Sequence, residues 1–119
     1  MDQLNIWLPK ADFVVGILPG TKDTADFFSK EHIFSKMKKS SVFMNIGRGS
    51  TVNEADLIEA LETKQISGAV LDVFKEEPLS EKSPLWSLPN VLMTPHCADV
   101  DPDFYARSWS VFKENIELF

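Results

Sequence analysis

The sequence predicts an α/β fold, a parallel β-sheet with flanking helices. Four short apolar runs alternate with segments of helical pattern, and this alternation implies strands joined by right-handed parallel crossovers. The first run is apolar throughout, which is typical of a strand buried on both faces of a sheet. The predicted strands cover residues 12–18, 41–46, 68–74 and 90–94.

The first predicted strand ends at Pro19-Gly20, a pair that stops an extended segment. A helix is then expected to begin at Ser29, because serine commonly caps helix N-termini. Three apolar residues would form the buried stripe of this helix: Ile33, Phe34 and Met37.

The second predicted helix follows the strand at residues 41–46 and is capped by Asn53. Its buried face would consist of Leu57, Ile58 and Leu61. A loop bearing proline and serine, from residue 78 to 89, follows the third strand. The pattern alone leaves the direction of the strand after this loop open.

The last helix carries clear start signals. Asp101 is the predicted cap, Pro102 occupies the first helical position and Asp103 lies in the first turn. The apolar residues that follow are spaced at helical intervals, which indicates an amphipathic helix. They are Tyr105, Trp109, Phe112, Ile116 and Phe119.

Composition narrows the classes of protein to consider. The 119 residues suffice for one small domain, and the net charge of −6 argues against nucleic-acid binding. No apolar run approaches the roughly 20 residues of a membrane span, so no membrane contact is expected. A single cysteine, Cys97, is typical of a reducing compartment, and we expect a cytoplasmic protein. The histidines and the cysteine form no metal-binding pattern.

Three short motifs follow three successive strands of the predicted sheet. Gly47-Arg48-Gly49 comes after the second strand, Glu76-Glu77-Pro78 after the third, and Thr94-Pro95-His96 at the end of the fourth. Ligands of open parallel sheets bind outside the carboxyl ends of the strands, where these motifs would meet. Together the motifs indicate a site that holds an anionic substrate and moves a proton.

Each motif residue has a chemical role and a structural alternative. Arg48 offers a planar fork for a carboxylate, or is a surface residue in a turn. His96 exchanges a proton near neutral pH, or is a loop histidine held by the backbone. Glu77 would hydrogen-bond to a histidine and raise its pKa, or belongs to an exposed acidic loop. The shared placement at strand ends favours the functional interpretation of all three.

Other polar residues carry weaker signals. Asp72 lies inside an apolar strand, where a carboxylate needs a partner, and is either a hydrogen-bonded structural residue or a ligand contact. No motif supports Cys97 as a nucleophile, and His32, in the first turn of a predicted helix, is interpreted as structural. The sequence contains no Gly-x-Gly-x-x-Gly motif.

The order and spacing of four segments resemble the D-isomer-specific 2-hydroxyacid dehydrogenases, and among them the glyoxylate/hydroxypyruvate reductase-like branch. The segments are Asn45-Ile-Gly-Arg-Gly49, Val52-Asn-Glu-Ala-Asp-Leu57, the stretch from Gly68 to Leu79 and the stretch from Leu88 to His96. The resemblance implies an NAD(P)-dependent oxidoreductase that interconverts a small 2-keto acid and a D-2-hydroxy acid by hydride transfer. It also implies a Rossmann-like, doubly wound parallel sheet with flanking helices, of which this chain forms the second half.

The same resemblance implies roles for individual residues. Arg48 would bind the substrate carboxylate and polarise the keto group, and His96 would give its proton to the carbonyl oxygen. Glu77 would pair with His96, and Asp72 would contact the nicotinamide end of NAD or NADP. The other cofactor-binding residues that the resemblance implies are Leu18, Pro19, Ile46 and Gly47, together with Arg48.

Family members are longer two-domain enzymes, so the resemblance implies that the Gly-rich phosphate loop and the substrate domain lie upstream of this sequence. Residues 1–119 are therefore expected to form a partial dinucleotide-binding domain with weak cofactor affinity. The first strand would keep an unpaired edge, and we expect a homodimer that covers this edge by strand pairing or element exchange.

Two kinds of function therefore remain open. The first is enzymatic, as part of a 2-hydroxyacid dehydrogenase, and the joint presence of Arg48, Glu77 and His96 favours it. The second is a catalytically silent module for dimerisation or NAD sensing, which the missing Gly-rich loop favours. A receiver-like α/β domain is disfavoured, because only Asp12 lies near the first strand and the expected acidic cluster is missing.

Overall fold

The computed structural model describes residues 2–118. Within this range the chain contains four β-strands and three α-helices, in the order helix, two strands, helix, two strands, helix, together with short 3-10 turns. The helices are α1 (Asp2–Trp7), α2 (Glu54–Glu62) and α3 (Phe104–Glu117). The strands are β1 (Phe13–Gly16), β2 (Val42–Asn45), β3 (Gly68–Leu71) and β4 (Val91–Met93).

The four strands form one sheet in the order β1-β2-β3-β4, and every neighbouring pair is parallel. One row across the sheet runs from Val15 through Met44 and Val70 to Leu92. The parallel sheet confirms the predicted fold class. It also settles the direction of β4, which runs parallel to β3 and places its carboxyl end beside those of the other strands.

Each strand is shorter than its apolar run. In β1 and β3 regular pairing stops at Gly16 and Leu71, which is two and three residues before the predicted ends. In β2 and β4 it stops at Asn45 and Met93, one residue before the predicted ends. The remaining apolar residues begin the loops at the carboxyl edge, where hydrogen bonds from Thr94 N to the Leu71 carbonyl and from Asp72 N to the Asn45 carbonyl continue the contact between strands.

The prediction of a helix that begins at Ser29 is wrong. The chain forms successive turns there and then a single 3-10 turn, Phe34–Lys36. The Ser29 carbonyl accepts the amides of both Ile33 and Phe34, each at 3.0 Å, and the amides of Lys36 and Met37 bind carbonyls only three residues back. The predicted stripe is nevertheless buried: Phe34 packs edge-on against Phe43 of β2 with ring centroids 5.2 Å apart. Burial of these side chains, rather than helical hydrogen bonding, determines the path of the segment.

The helix capped by Asn53 is confirmed. The Asn53 side-chain oxygen accepts the amide of Asp56 at 3.2 Å, and α2 begins at the next residue, Glu54. Leu57 and Leu61 are buried as predicted, whereas Ile58 is half-buried. The helix α1 was not predicted, because its six residues are too few for a clear period.

The last helix is confirmed, but its predicted start at Asp101 is wrong. The helix begins at Phe104, and the Asp101 carboxylate accepts the amide of Asp103 at 2.9 Å in the turn before it. Its apolar stripe is exposed in this chain, including Tyr105 and Trp109. Phe119, the last residue of the predicted stripe, lies outside the described residues.

The sheet is covered on one face. Phe43 and Leu71 point to the core, where they pack with α2, the 3-10 turn at Phe34–Lys36, and Leu4 and Leu8 in and just after α1. The other face exposes Phe13, Val15 and Leu92. The expectation that the first strand is buried on both faces is therefore wrong for this chain, whereas β1 does lie at the unpaired edge that the resemblance implied.

The one-sided core gives a matched test within the sheet. We expect Phe43→Ala to lower the free energy of unfolding by about 3–5 kcal/mol, because it opens a cavity at a fully buried position. Phe13→Ala removes the same atoms from the exposed face of the sheet and should lower the free energy of unfolding by much less. Urea unfolding followed by circular dichroism measures both, and equal losses would contradict the assignment of the core to one face.

Candidate active site

The carboxyl edge of the sheet brings Arg48, Glu77 and His96 together. All three line a small cavity of about 230 Å³ that also touches Lys75. Each comes from a loop that follows a different strand, so the parallel direction of β2, β3 and β4 is what gathers them. The cavity contains two cationic side chains beside a histidine, an arrangement suited to an anion that exchanges a proton.

His96 and Glu77 form a hydrogen-bonded pair. His96 Nδ1 lies 2.8 Å from Glu77 Oε2, and the other carboxylate oxygen, Oε1, accepts the amide of Phe74 at 2.9 Å. Both oxygens of Glu77 are thus engaged, which fixes the carboxylate against the loop. Because Nδ1 faces the carboxylate, Nε2 is the ring nitrogen left for a ligand.

The contact between His96 and Glu77 shifts the pKa values of both side chains. The hydrogen bond to Glu77 and its negative charge raise the pKa of His96, while Arg48 acts weakly in the opposite direction. The hydrogen bond from His96 lowers the pKa of Glu77, and the amide of Phe74 lowers it further. The pair therefore favours an imidazolium beside a carboxylate, which is an acid able to donate a proton.

Asp72 is buried at the end of β3 and accepts three hydrogen bonds. Its Oδ1 accepts the Thr94 hydroxyl and the amide of Cys97, the latter at 2.8 Å, and its Oδ2 accepts the amide of Ala98 at 2.9 Å. Burial acts to raise the pKa of Asp72, but these three donors outweigh it and hold the pKa below its usual value. A carboxylate has about four acceptor positions, so one position on Oδ2 is left for a further donor.

The turn that carries Arg48 is held by buried polar side chains. Asn45 Oδ1 accepts the amide of Gly47 at 3.2 Å, and Asn45 Nδ2 donates to the Arg48 carbonyl at 3.1 Å. The Thr51 hydroxyl donates to the same carbonyl at 2.6 Å. The guanidinium is exposed and spends one N–H on the Gly47 carbonyl, at 2.8 Å, which leaves the rest of its fork for a ligand.

Gly49 is required by a close approach of two loops. A Cβ built on Gly49 would lie 1.8 Å from the carbonyl oxygen of Phe74, a contact no side chain tolerates. The loop after β2 therefore presses directly against the loop that carries Glu77. This contact sets the separation between Arg48 and the His96–Glu77 pair.

The remaining predicted cofactor residues lie at the same edge. Leu18 and Pro19 follow β1, and a Cβ on Gly47 would lie 2.9 Å from the Leu18 carbonyl oxygen, so the two loops touch. Ile46 is half exposed beside them. Three residues that organise the site were given no role of their own from the sequence: Asn45, Thr51 and Thr94. A polar residue that ends an apolar run, as Asn45 does, is the signal that could have found the first of them.

A second, larger cavity adjoins the pair. It measures about 410 Å³ and is lined mainly by apolar side chains, among them Leu79, Trp86 and Met93, with His96 and Glu77 at its wall. His32 lies away from this edge, in the turns before Phe34. Across residues 2–118 no cluster of histidine, cysteine and carboxylates could hold a metal ion, and no helix there is long and apolar enough to cross a membrane.

Comparison with known proteins agrees with this geometry. A parallel sheet whose carboxyl edge presents these groups defines a nucleotide-binding domain of the oxidoreductase class. The family model described as D-isomer specific 2-hydroxyacid dehydrogenase, NAD binding domain, matches residues 1–98. The chain belongs to this family, which confirms the resemblance drawn from the sequence.

Relatives named for an enzymatic activity are similar to this chain over most of its length. A probable 2-ketogluconate reductase of Dictyostelium discoideum is 50% identical over 93 residues, which are 78% of this chain and 28% of that protein. A glyoxylate/hydroxypyruvate reductase B of Klebsiella pneumoniae has the same identity and coverage. The chain thus spans less than a third of the length of these two relatives.

Solved structures show the same fold. An NADPH-dependent glyoxylate/hydroxypyruvate reductase of Sinorhizobium meliloti, in complex with NADP and sulfate, is 40% identical, with a TM-score of 0.80 over 96% of this chain and 36% of that one. A phosphoglycerate dehydrogenase of Lactobacillus plantarum is 37% identical, with a TM-score of 0.81 over 99% of this chain and 38% of that one. The predicted Rossmann-like fold and the NAD(P) cofactor class are thereby confirmed.

The titrations of the pair predict how stability depends on pH. Because the pKa of His96 is raised in the folded chain, its ionisation stabilises the fold fully below about pH 6.5. This stabilisation is lost as the pH rises through the folded-state pKa. The lowered pKa of Glu77 contributes stability above about 4.3 that is lost as the pH falls. We therefore expect Glu77→Gln to destabilise the chain most between these values and less at alkaline pH. Urea unfolding at several pH values measures the difference in stability between the wild type and Glu77→Gln. A difference that grows with pH would contradict the pairing of His96 with Glu77.

Proposed function

We propose that the chain forms part of an NAD(P)-dependent oxidoreductase that interconverts a small 2-keto acid and a D-2-hydroxy acid. The observation that carries this proposal is the His96–Glu77 hydrogen bond at the wall of a cavity shared with Arg48. This arrangement provides an acid and a carboxylate-binding group within one site. Relatives that are glyoxylate/hydroxypyruvate reductases support the same substrate class.

In the proposed reaction Arg48 holds the substrate carboxylate through its free guanidinium N–H groups. His96 donates the proton from Nε2 to the carbonyl oxygen as the carbonyl carbon is reduced, and takes it back in the reverse direction. Glu77 orients the ring through Nδ1 and stabilises the imidazolium. The raised pKa of His96 suits reduction, because it favours the protonated form of the ring that donates the proton.

A nicotinamide cofactor would supply or accept the hydride. The residues present fit its nicotinamide end: the open acceptor position on Asp72 Oδ2 matches an amide donor, and Ile46 offers an exposed apolar surface beside Gly47. Leu18 and Pro19 would lie along the adenosine side. We include these residues in the proposal as the cofactor-binding set.

The proposal is tested by titrating the chain with NADH and NADPH in a calorimeter, alongside a rate assay with glyoxylate and hydroxypyruvate. We expect weak cofactor binding, because the sequence lacks a Gly-rich phosphate loop. Where turnover is measurable, His96→Gln should abolish it, and Arg48→Gln should raise KM for the keto acid far more than Arg48→Lys does. Turnover that survives His96→Gln would overturn the assignment of the acid.

A second function is favoured by one specific observation, the bare face and unpaired edge of the sheet. Phe13, Val15 and Ile17 are exposed along β1 and just beyond it. Such an apolar edge invites pairing with another chain. This alternative is a catalytically silent module that dimerises or senses NAD.

Both functions include a homodimer that covers the edge of β1 by strand pairing or element exchange. We expect light scattering to give twice the chain mass of 13.4 kDa at high micromolar concentration. Val15→Lys places a charge on the edge strand and should return the protein to a monomer, because edge lysines oppose strand pairing. Lys22→Ala, in an exposed loop, is the control. A wild-type monomer at that concentration would contradict the dimer.

A further inference from the structure

We propose that Asp72 and Thr94 act as positioning residues, which together hold the turn after β4 so that the His96 ring meets Glu77. This inference rests on the proposed function, since it concerns how the proposed acid is oriented. It differs from the cofactor contact discussed above, because it assigns the buried oxygens of Asp72 to the protein's own loop.

The first support is the backbone of the turn. His96 has a φ of 51°, in the left-handed region that residues other than glycine rarely adopt. Such a conformation persists only where the surroundings determine it. The ring of His96 is half exposed, so packing of the side chain does not supply this constraint.

The second support is the number of bonds that converge on one residue. Asp72 accepts the amides of three consecutive residues: its carbonyl oxygen takes His96 N at 2.8 Å, and its carboxylate takes Cys97 N and Ala98 N. Three amides aimed at one residue fix the direction of the chain through the turn. The direction of the His96 side chain follows from it.

Thr94 completes this arrangement. Its hydroxyl donates to Asp72 Oδ1, the same oxygen that accepts Cys97 N. Burial disfavours the charged carboxylate, and a protonated carboxyl would be a poorer acceptor for the two amides. By donating to the carboxylate, Thr94 favours its ionised form, and its own amide binds the Leu71 carbonyl at 3.0 Å, which ties the turn to β3.

A purely structural role is the alternative, in which the Asp72 bonds stabilise the sheet edge without affecting His96. The two roles are separated by measuring His96 itself. The charged groups that act on His96 are Glu77, Arg48 and Asp72, and Lys75 lines the same cavity. Thr94→Val removes the hydroxyl and keeps the shape of the side chain, and Glu77, Arg48 and Lys75 are unchanged. A fall of the His96 pKa toward its value in Glu77→Gln therefore reports that the ring no longer meets Glu77.

The experiment is an NMR titration of the imidazole signals in the 119-residue chain. The sequence has two histidines, and His32, which lines neither cavity at this edge, serves as the internal control in the same sample. The variants are Thr94→Val, Thr94→Ser and Glu77→Gln. The last of these gives the pKa of His96 without its carboxylate partner.

We expect Thr94→Val to lower the pKa of His96 by about 0.5 unit or more, toward the value in Glu77→Gln, while His32 is unchanged. Thr94→Ser, which keeps the hydroxyl, should restore the wild-type value. An unchanged His96 pKa in Thr94→Val, with a lowered one in Glu77→Gln, would overturn the proposal. A His96 pKa that falls as far in Thr94→Ser as in Thr94→Val would also overturn the proposal.

If Thr94→Val fails to fold, Thr94→Ala removes the hydroxyl without crowding and is read in the same way. None of these readouts requires turnover. Failure of the proposed function would appear as surviving activity in His96→Gln, whereas failure of this inference would appear only in the titration of His96. The two results are therefore distinguishable.

Discussion

The site depends on buried polar side chains at the ends of apolar strands, which bind the amides of the loops at the carboxyl edge of the sheet. Asn45 at the end of β2 and Asp72 just beyond β3 both do this. In a sheet whose strands all run in one direction, the loops at one edge have unpaired backbone groups that need partners. These two side chains meet that need from within the core, and in doing so they fix the loops that carry Arg48 and His96.

The same constraint explains how much of the fold could be predicted. Runs of apolar residues interrupted by glycine and proline are sufficient to place four strands, and the capping geometry of Asn53 is local, so α2 was predicted correctly. The segment after Ser29 was not, because Ile33, Phe34 and Met37 have a spacing that fits a helix and a series of tight turns equally well. Contacts with Phe43, distant in sequence, decide between the two.

For the candidate site, the identity of the polar groups at the strand ends could be predicted, but their bonds could not. The pairing of His96 with Glu77 depends on a loop between residues 74 and 89 whose path has no periodic signal. The family comparison supports the kind of chemistry, while the roles of Arg48, Glu77 and His96 stay predictions. Thr94 shows why: a threonine before proline is unremarkable in sequence and gains its meaning only when β3 and β4 lie side by side.

The exposure of the three tryptophans has a practical consequence for spectroscopy. Trp7, Trp86 and Trp109 are each more than half exposed, on α1, on the rim of the apolar cavity and on α3. Indole emission depends on the polarity around the ring, so we expect the intrinsic fluorescence of this chain to lie near that of tryptophan in water and to change little when the core unfolds. A shift of the emission to shorter wavelength therefore marks the covering of one of these three surfaces by a binding partner, rather than the folding of the chain.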